Sequence, residues 1–315
     1  MRSTHFLILL ITCFICGTQG SWAQTNRRDV ELATEYTNKG VDIWGNANAV
    51  GSYTVFIRFS ALNNTQHMSS YSAILAGRSK IISFKPIDEQ KSVSCRYSYY
   101  YVRGYKNRKV DSTFIYRLPF SILKTDSVRV LSLFNVNERY FNQSSDHNWI
   151  AWQFSLNQND TVFAMRKGLV VKIVDSYDPV DKEGVVVSYQ TERNSVTVEH
   201  ADGTLCYYRV MEKGAFMVSE GDVVYPGTPL GKAGTFNKGG NYQVRISISY
   251  PEIDKELAKK PVENKSVFKN VYYNPYFVTQ GGTQQLLHGK YYKSVSSAEL
   301  IRQEMTKKEI KKLTK

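Results

Sequence analysis

The sequence predicts an all-β protein built from an N-terminal immunoglobulin-like β-sandwich and a second β domain, closed by a short C-terminal helix. Three observations predict it. Alternating apolar and polar residues recur between positions 53 and 103, short apolar runs punctuated by glycine-rich turns fill 160–249, and the segment after Ser296 carries a helix-start signature.

The chain opens on an export signal at residues 1–23. Arg2 and His5 precede an apolar run from Phe6 to Cys16, and Ser21-Trp22-Ala23 places small residues before Gln24. That run is too short to span a bilayer, and no later segment is long and apolar enough for a transmembrane helix in the mature chain. The expected location is the periplasm or the extracellular space, in association with the envelope. About 290 residues then remain, enough for roughly two domains. Cys13 and Cys16 leave with the signal. Cys95 and Cys206 stay, in strand-like runs assigned to different domains, and read as two buried thiols.

Residues 24–125 form the sandwich. Tyr53, Val55, Ile57 and Phe59 share one strand face and Thr54, Arg58 and Ser60 the other; Ser79–Phe84 and Cys95–Arg103 make further strands, closed by Pro86 and Gly104. Tyr97, Tyr99 and Tyr101 fall on one face, as a packed amphipathic sheet in preference to a sugar-stacking surface. Residues 126–158 read as a connecting segment rich in aromatics. Residues 159–290 form the second domain, with strands expected over Val170–Val174, Ser195–Glu199 and Tyr242–Ile248 and a turn at Lys238-Gly239-Gly240-Asn241. Residues 291–315 form a basic tail whose capping box is Ser296-x-x-Glu299, read as a frayed surface helix in preference to a membrane or wall anchor.

Lysine and arginine number 41 against 28 acids, a net charge of +13. In an exported protein this favours an anionic neighbour such as a cell-wall polymer, as well as solubility. The basic residues are scattered and no nucleic-acid-binding motif occurs, so no nucleic acid is expected as partner.

Three motifs stand in order in the second domain: Asp160-Thr-Val-Phe-Ala164-Met-Arg-Lys-Gly168-Leu-Val, His200-Ala-Asp202-Gly203, and Val218-Ser-Glu-Gly221-Asp222-Val-Val-Tyr-Pro-Gly227-Thr-Pro-Leu-Gly231. With them the segment from about Trp149 to Ser249 resembles the lysostaphin-like, or LytM-type, zinc endopeptidases that cut peptidoglycan cross-bridges. Tyr116-Arg-Leu-Pro-Phe120 resembles a junction found in exported members. The resemblance implies a LytM-like two-layer antiparallel β structure, the duplicated hybrid motif. It also implies where zinc ligands and catalytic histidines would stand.

Those positions do not carry them. The aspartate position falls on Gln153, the position of "Tyr-x-His-Leu" on Arg209, and the "His-x-His" pair on Gln243 and Arg245; the first histidine position falls near Gln143, with His147 close by. Catalytic zinc needs three protein ligands and an open water position, and a guanidinium, permanently charged and without a lone pair to offer, repels a dication. No metal or other cofactor is therefore expected, and no serine or cysteine nucleophile motif replaces the lost chemistry.

The expected function is that of an exported, non-catalytic LytM-type protein that binds peptidoglycan or another anionic envelope polymer, or regulates a wall hydrolase. Gln143, Gln153, Arg209, Gln243 and Arg245 are its candidate ligand cleft, with Arg209 and Arg245 placing fixed positive charge where a carboxylate can be met. The alternatives are an active zinc metalloendopeptidase, which would need His67, His147, His200 and His288 to converge, and a structural or adhesive envelope protein.

Overall fold

The computed structural model describes residues 28–38, 40–106, 110–133, 149–179, 193–259 and 266–313. Strands dominate, and among the described residues the fold is all-β with short helices only. Two hydrophobic cores form, one from residues 30–101 and one from residues 116–292.

The first core lies between two three-stranded antiparallel sheets. One contains β1 (Val30–Thr37), β2 (Gly40–Ala47) and β5 (Arg78–Phe84); the other contains β3 (Tyr53–Asn63), β4 (Ser70–Leu75) and β6 (Ser94–Arg103). The orders β1-β2-β5 and β4-β3-β6 reproduce neighbour relations of an immunoglobulin sandwich. Alternation decides the faces: Tyr53, Val55, Ile57 and Phe59 are buried against Val41, Ile43 and Phe84. The tyrosine row packs. Tyr101 meets Tyr53 edge-on, Tyr97 meets Phe59 edge-on, and the Tyr99 hydroxyl donates to the Val30 carbonyl.

The second core lies beneath a nine-stranded sheet. Its path runs β15 (Val223–Val224), β11 (Gly168–Val174), β12 (Ser195–Glu199), β13 (Leu205–Arg209), β17 (Gln243–Ile253), β9 (Ala151–Ser155), β8 (Val128–Leu133) and β21 (Tyr291–Tyr292), with β18 (Phe268–Tyr272) also on β17. Two small sheets pack on its apolar face: β10 (Thr161–Phe163), β16 (Pro229–Ala233) and β14 (Met211–Phe216), and β7 (Ile115–Tyr116), β19 (Tyr276–Thr279) and β20 (Gly282–Gln284). The segment 126–158, expected as a connection leading into the second domain, supplies β8 and β9, because Val128, Val130, Trp152 and Phe154 alternate into this core. Tyr116, Leu118 and Phe120 are buried there too, ahead of position 125. Cys206 lies in this core and Cys95 against the first, both as free thiols.

The two cores are tied by backbone-directed bonds. The Ser52 amide donates to Glu199 Oε2 at 2.8 Å, Arg103 Nη1 to the Val171 carbonyl at 3.0 Å, and the Tyr105 hydroxyl to the Ala201 carbonyl at 3.0 Å. Arg58 donates to the Leu257 and Ala258 carbonyls in α1 (Lys255–Lys259).

The tail is docked, not frayed, and consists of two helices, α2 (Ala298–Arg302) and α3 (Lys307–Leu313). The first cap sits one residue beyond the expected Ser296: the extended backbone of Ser297 lets its hydroxyl accept from the Leu300 amide at 3.2 Å. A reciprocal capping box starts α3, where the Glu309 amide donates to Thr306 Oγ1 and the Thr306 amide to Glu309 Oε2.

Gly203 shows how tightly the two units fit. Its φ is +83°, and a Cβ there would lie 2.3 Å from the Tyr105 carbonyl oxygen. Gly203→Ala must strain the turn and push Tyr105 away, so it is expected to cost about 2–3 kcal/mol in urea unfolding; an unchanged midpoint would show that the turn relaxes freely.

Candidate functional site

β17 is the axis of the site. Antiparallel pairing sets Arg245 opposite Gln153 of β9 on one side and opposite Arg209 of β13 on the other, and sets Gln243 opposite Ser155. Directly opposed residues share a face, with Cβ atoms roughly 5 Å apart. Val244, Ile246 and Ile248 enter the core, so the alternate residues Gln243, Arg245 and Ser247 stand on the other face. Four of the five expected cleft residues thus come together: Gln153, Arg209, Gln243 and Arg245. Gln143, and His147 beside it, lie outside the described residues.

The side chains are well tethered. Arg245 Nε donates to Gln243 Oε1 at 3.0 Å, and Arg209 Nη1 donates to Ser247 Oγ at 2.8 Å. The Arg209 guanidinium lies over the Tyr207 ring, 4.4 Å from its centre. The Arg245 and Arg193 guanidiniums both lie against Phe236, at 4.0 and 4.2 Å from its centre. Burial, helped by the positive charge of Arg193, pushes Arg245 down to about 10, and burial lowers Arg193 as well. Even so, both remain cations near neutral pH.

Like charges directly across a strand pair are destabilising. Among the described residues, no carboxylate forms an ion pair with Arg209 or Arg245. The arrangement therefore carries uncompensated positive charge on a half-buried face, held in place by amides, a hydroxyl and aromatic rings.

Two depressions meet at Tyr242. One, of about 240 Å³, is lined by Tyr177, Arg193, Asn194, Thr235 and Phe236. The other, of about 450 Å³, is lined by Arg129, Gln153, Ser155, Asn157 and Asn241. Sequence reasoning missed Phe236, Arg193 and this amide-rich wall. The one available signal was an aromatic residue stranded in the otherwise polar loop Gly234-Thr-Phe236-Asn-Lys-Gly-Gly240.

The donor set does not fit zinc. Two amides and two guanidiniums offer no imidazole or carboxylate, and among the described residues no group of three or more histidine, cysteine or acidic side chains is placed to hold a metal ion. His200 and His288 are engaged elsewhere, His200 with the Lys167 carbonyl and His288 with Ser132.

A second polar cluster lies beyond the opposite ends of β12 and β13, at the turn that joins them. Arg166, almost fully buried, donates to Asp202 Oδ2 at 2.9 Å, to the Tyr116 hydroxyl at 3.1 Å, and to both carboxylate oxygens of Glu304 at 2.7 and 3.0 Å, while stacking 3.8 Å from the centre of Phe114. His200 sits beside it. Its Nδ1 lies 2.8 Å from the Lys167 carbonyl, which can only accept, so Nδ1 carries the proton and Nε2 is a buried acceptor without a hydrogen-bond partner among the described residues. Burial, and then the charge of Arg166, hold His200 well below its ordinary value of 6.5.

No protein-family model and no curated protein sequence matches the chain. Among solved structures, it is similar to a putative M23 peptidase from Pseudomonas aeruginosa, with 11% identity and a TM-score of 0.31 over 70% of this chain and 88% of the other. It is also similar to Csd3 from Helicobacter pylori in two crystal forms: 11% identity and TM-score 0.27 over 82% and 72% of the two chains, and 12% and 0.28 over 78% and 70%.

A pH dependence follows from His200. The unfolded chain takes up a proton near pH 6.5 and the folded chain does not, so stability is full above that pH and is lost as pH falls. The loss is expected to reach about 2 kcal/mol by about pH 5. His200→Phe should remove this contribution from the pH slope of urea unfolding; an identical slope in wild type and variant would refute it.

Proposed function

We propose that the chain is a non-catalytic, LytM-type peptidase-like protein of the cell envelope that binds an anionic wall ligand through the Arg245 face. Two things support the reading. The motifs from Asp160 to Gly231 follow the order of the LytM pattern. Independently, the residues standing at that pattern's ligand positions, Gln153, Arg209, Gln243 and Arg245, meet on three adjacent strands. The observation that carries the proposal is the opposed pair Arg209 and Arg245, two cations with no carboxylate counter-ion among the described residues.

The chemistry that suits such a pair is a carboxylate, from a peptidoglycan stem peptide or from an acidic side chain of a wall hydrolase regulated by this protein. Guanidinium and carboxylate form charge-assisted, often bidentate bonds. The amide-rich wall at Gln153, Asn157 and Asn241 can hydrogen-bond the neighbouring amides and hydroxyls of the same ligand. Zinc hydrolysis is disfavoured because the donors are amides and guanidiniums.

Retention on insoluble peptidoglycan at low salt tests the reading. The wild type is expected to be retained, and Arg245→Gln or Arg209→Gln to weaken retention roughly tenfold or more, the scale of a lost charged hydrogen bond. Absence of wild-type retention, or stoichiometric zinc with chelator-sensitive wall lysis, would sink it.

A further inference from the structure

The C-terminal segment separates its charges by face. Between Ala298 and Leu313 it carries five cations (Arg302, Lys307, Lys308, Lys311 and Lys312) and three acids (Glu299, Glu304 and Glu309). Two of the acids point inward. Glu304 chelates the buried Arg166, and Glu309 meets Lys167 Nζ at 2.9 Å and accepts from the Tyr225 hydroxyl at 2.7 Å. Lys167 Nζ also donates to the Glu304 carbonyl at 3.0 Å. Glu299, on the first turn of α2, is held by Ser297 and its own backbone amide.

All five cations are exposed. At about 100° per residue, the four lysines of α3 fall within an arc of about 140°, and Glu309 and Ile310 fall outside it. Alone, a helix this short is marginal in water. Its orientation comes from the two anchored carboxylates, so the lysine face is presented outward as a fixed array.

An exposed apolar side chain stands close in the chain to one anchor of that array. Val223, 53% exposed, lies on β15 two residues before Tyr225, the side chain that holds Glu309. The nearby carboxylates Glu220 and Asp222 are turned onto backbone amides, of Ile173 and Ser219. Cations beside exposed aliphatic groups match the boundary of a bilayer better than a wholly hydrophilic polymer.

We infer that the docked tail is a membrane-facing foot, which lays the α3 lysines and Val223 against anionic phospholipid headgroups. This surface is separate from the Arg245 face and does not depend on it. Polyanion attraction acts through the lysines and falls with salt, whereas the Val223 contribution does not.

Flotation with vesicles tests the inference, using the full chain and, in parallel, the chain from Gln24, which keeps every residue of both cores and removes the apolar Phe6–Cys16 run. Phosphatidylcholine vesicles containing phosphatidylglycerol are expected to carry the protein at low salt and to release it as salt rises, while pure phosphatidylcholine does not carry the chain from Gln24. Lys307→Gln, Lys308→Gln and Lys312→Gln together should lower partitioning roughly a hundredfold. Val223→Ser should lower it several-fold at any salt. Glu304→Gln keeps every cation but frees the tail from Arg166, and should weaken binding several-fold. Arg245→Gln should leave vesicle binding unchanged, which separates this surface from the wall-binding site. Equal partitioning of the triple-lysine variant, or retention on an anionic polysaccharide with none on the charged vesicles, would overturn the proposal.

Discussion

The pairing of β17 with its neighbours is the constraint on which the rest depends. One strand of eleven residues serves β13, β9 and β18, and its alternation divides the second unit into an apolar interior and a polar exterior. Val244, Ile246 and Ile248 cannot enter the core without placing Gln243, Arg245 and Ser247 on the opposite surface. A slip of one residue would bury a guanidinium among Trp152, Phe154 and Tyr208 and lift three aliphatic side chains into water. The burial that stabilises the sheet is thus the same interaction that fixes where the arginines stand.

Electrostatics adds the second layer. The molecule tolerates two cations face to face because each guanidinium has an aromatic ring and a polar neighbour to lean on: Tyr207 and Ser247 for Arg209, Phe236 and Gln243 for Arg245. At the other end of the sheet the solution is different. Arg166 is neutralised by Asp202 and by Glu304, residues far apart in the chain, and is almost sealed from solvent. One arginine cluster is closed by internal acids and the other is left open. On that contrast, more than on the count of basic residues, the proposed role of the open cluster rests.

Much of this was legible in the sequence, wherever a period governs the residues. Tyr53, Val55, Ile57 and Phe59 declared their face, and the strands around 170, 197 and 245 declared theirs. The choice of Gln153, Arg209, Gln243 and Arg245 came from the resemblance to the LytM pattern, and the alternation of β17 explains why they share a face. Phe236 and Arg193 were hidden because loops have no period, and their meeting with Arg245 depends on how turns close. The docking of the tail was hidden for another reason. Glu304 and Arg166 are 138 residues apart, and an ion pair of that range leaves no local signature. The strands β8 and β9 lie in the segment read as a connection because each sets only a short run of core-facing residues, Val128 and Val130 in one and Trp152 and Phe154 in the other, too brief to declare a period.

Gly203 carries two demands at once. Its backbone must bend where side-chain-bearing residues resist, and the space beside it is already filled by Tyr105 of the neighbouring unit. A hinge that doubles as a seat cannot be altered for one purpose alone. Any change that eases the bend must also reshape the joint, so the β12–β13 turn and the mutual seating of the two halves form one geometric unit.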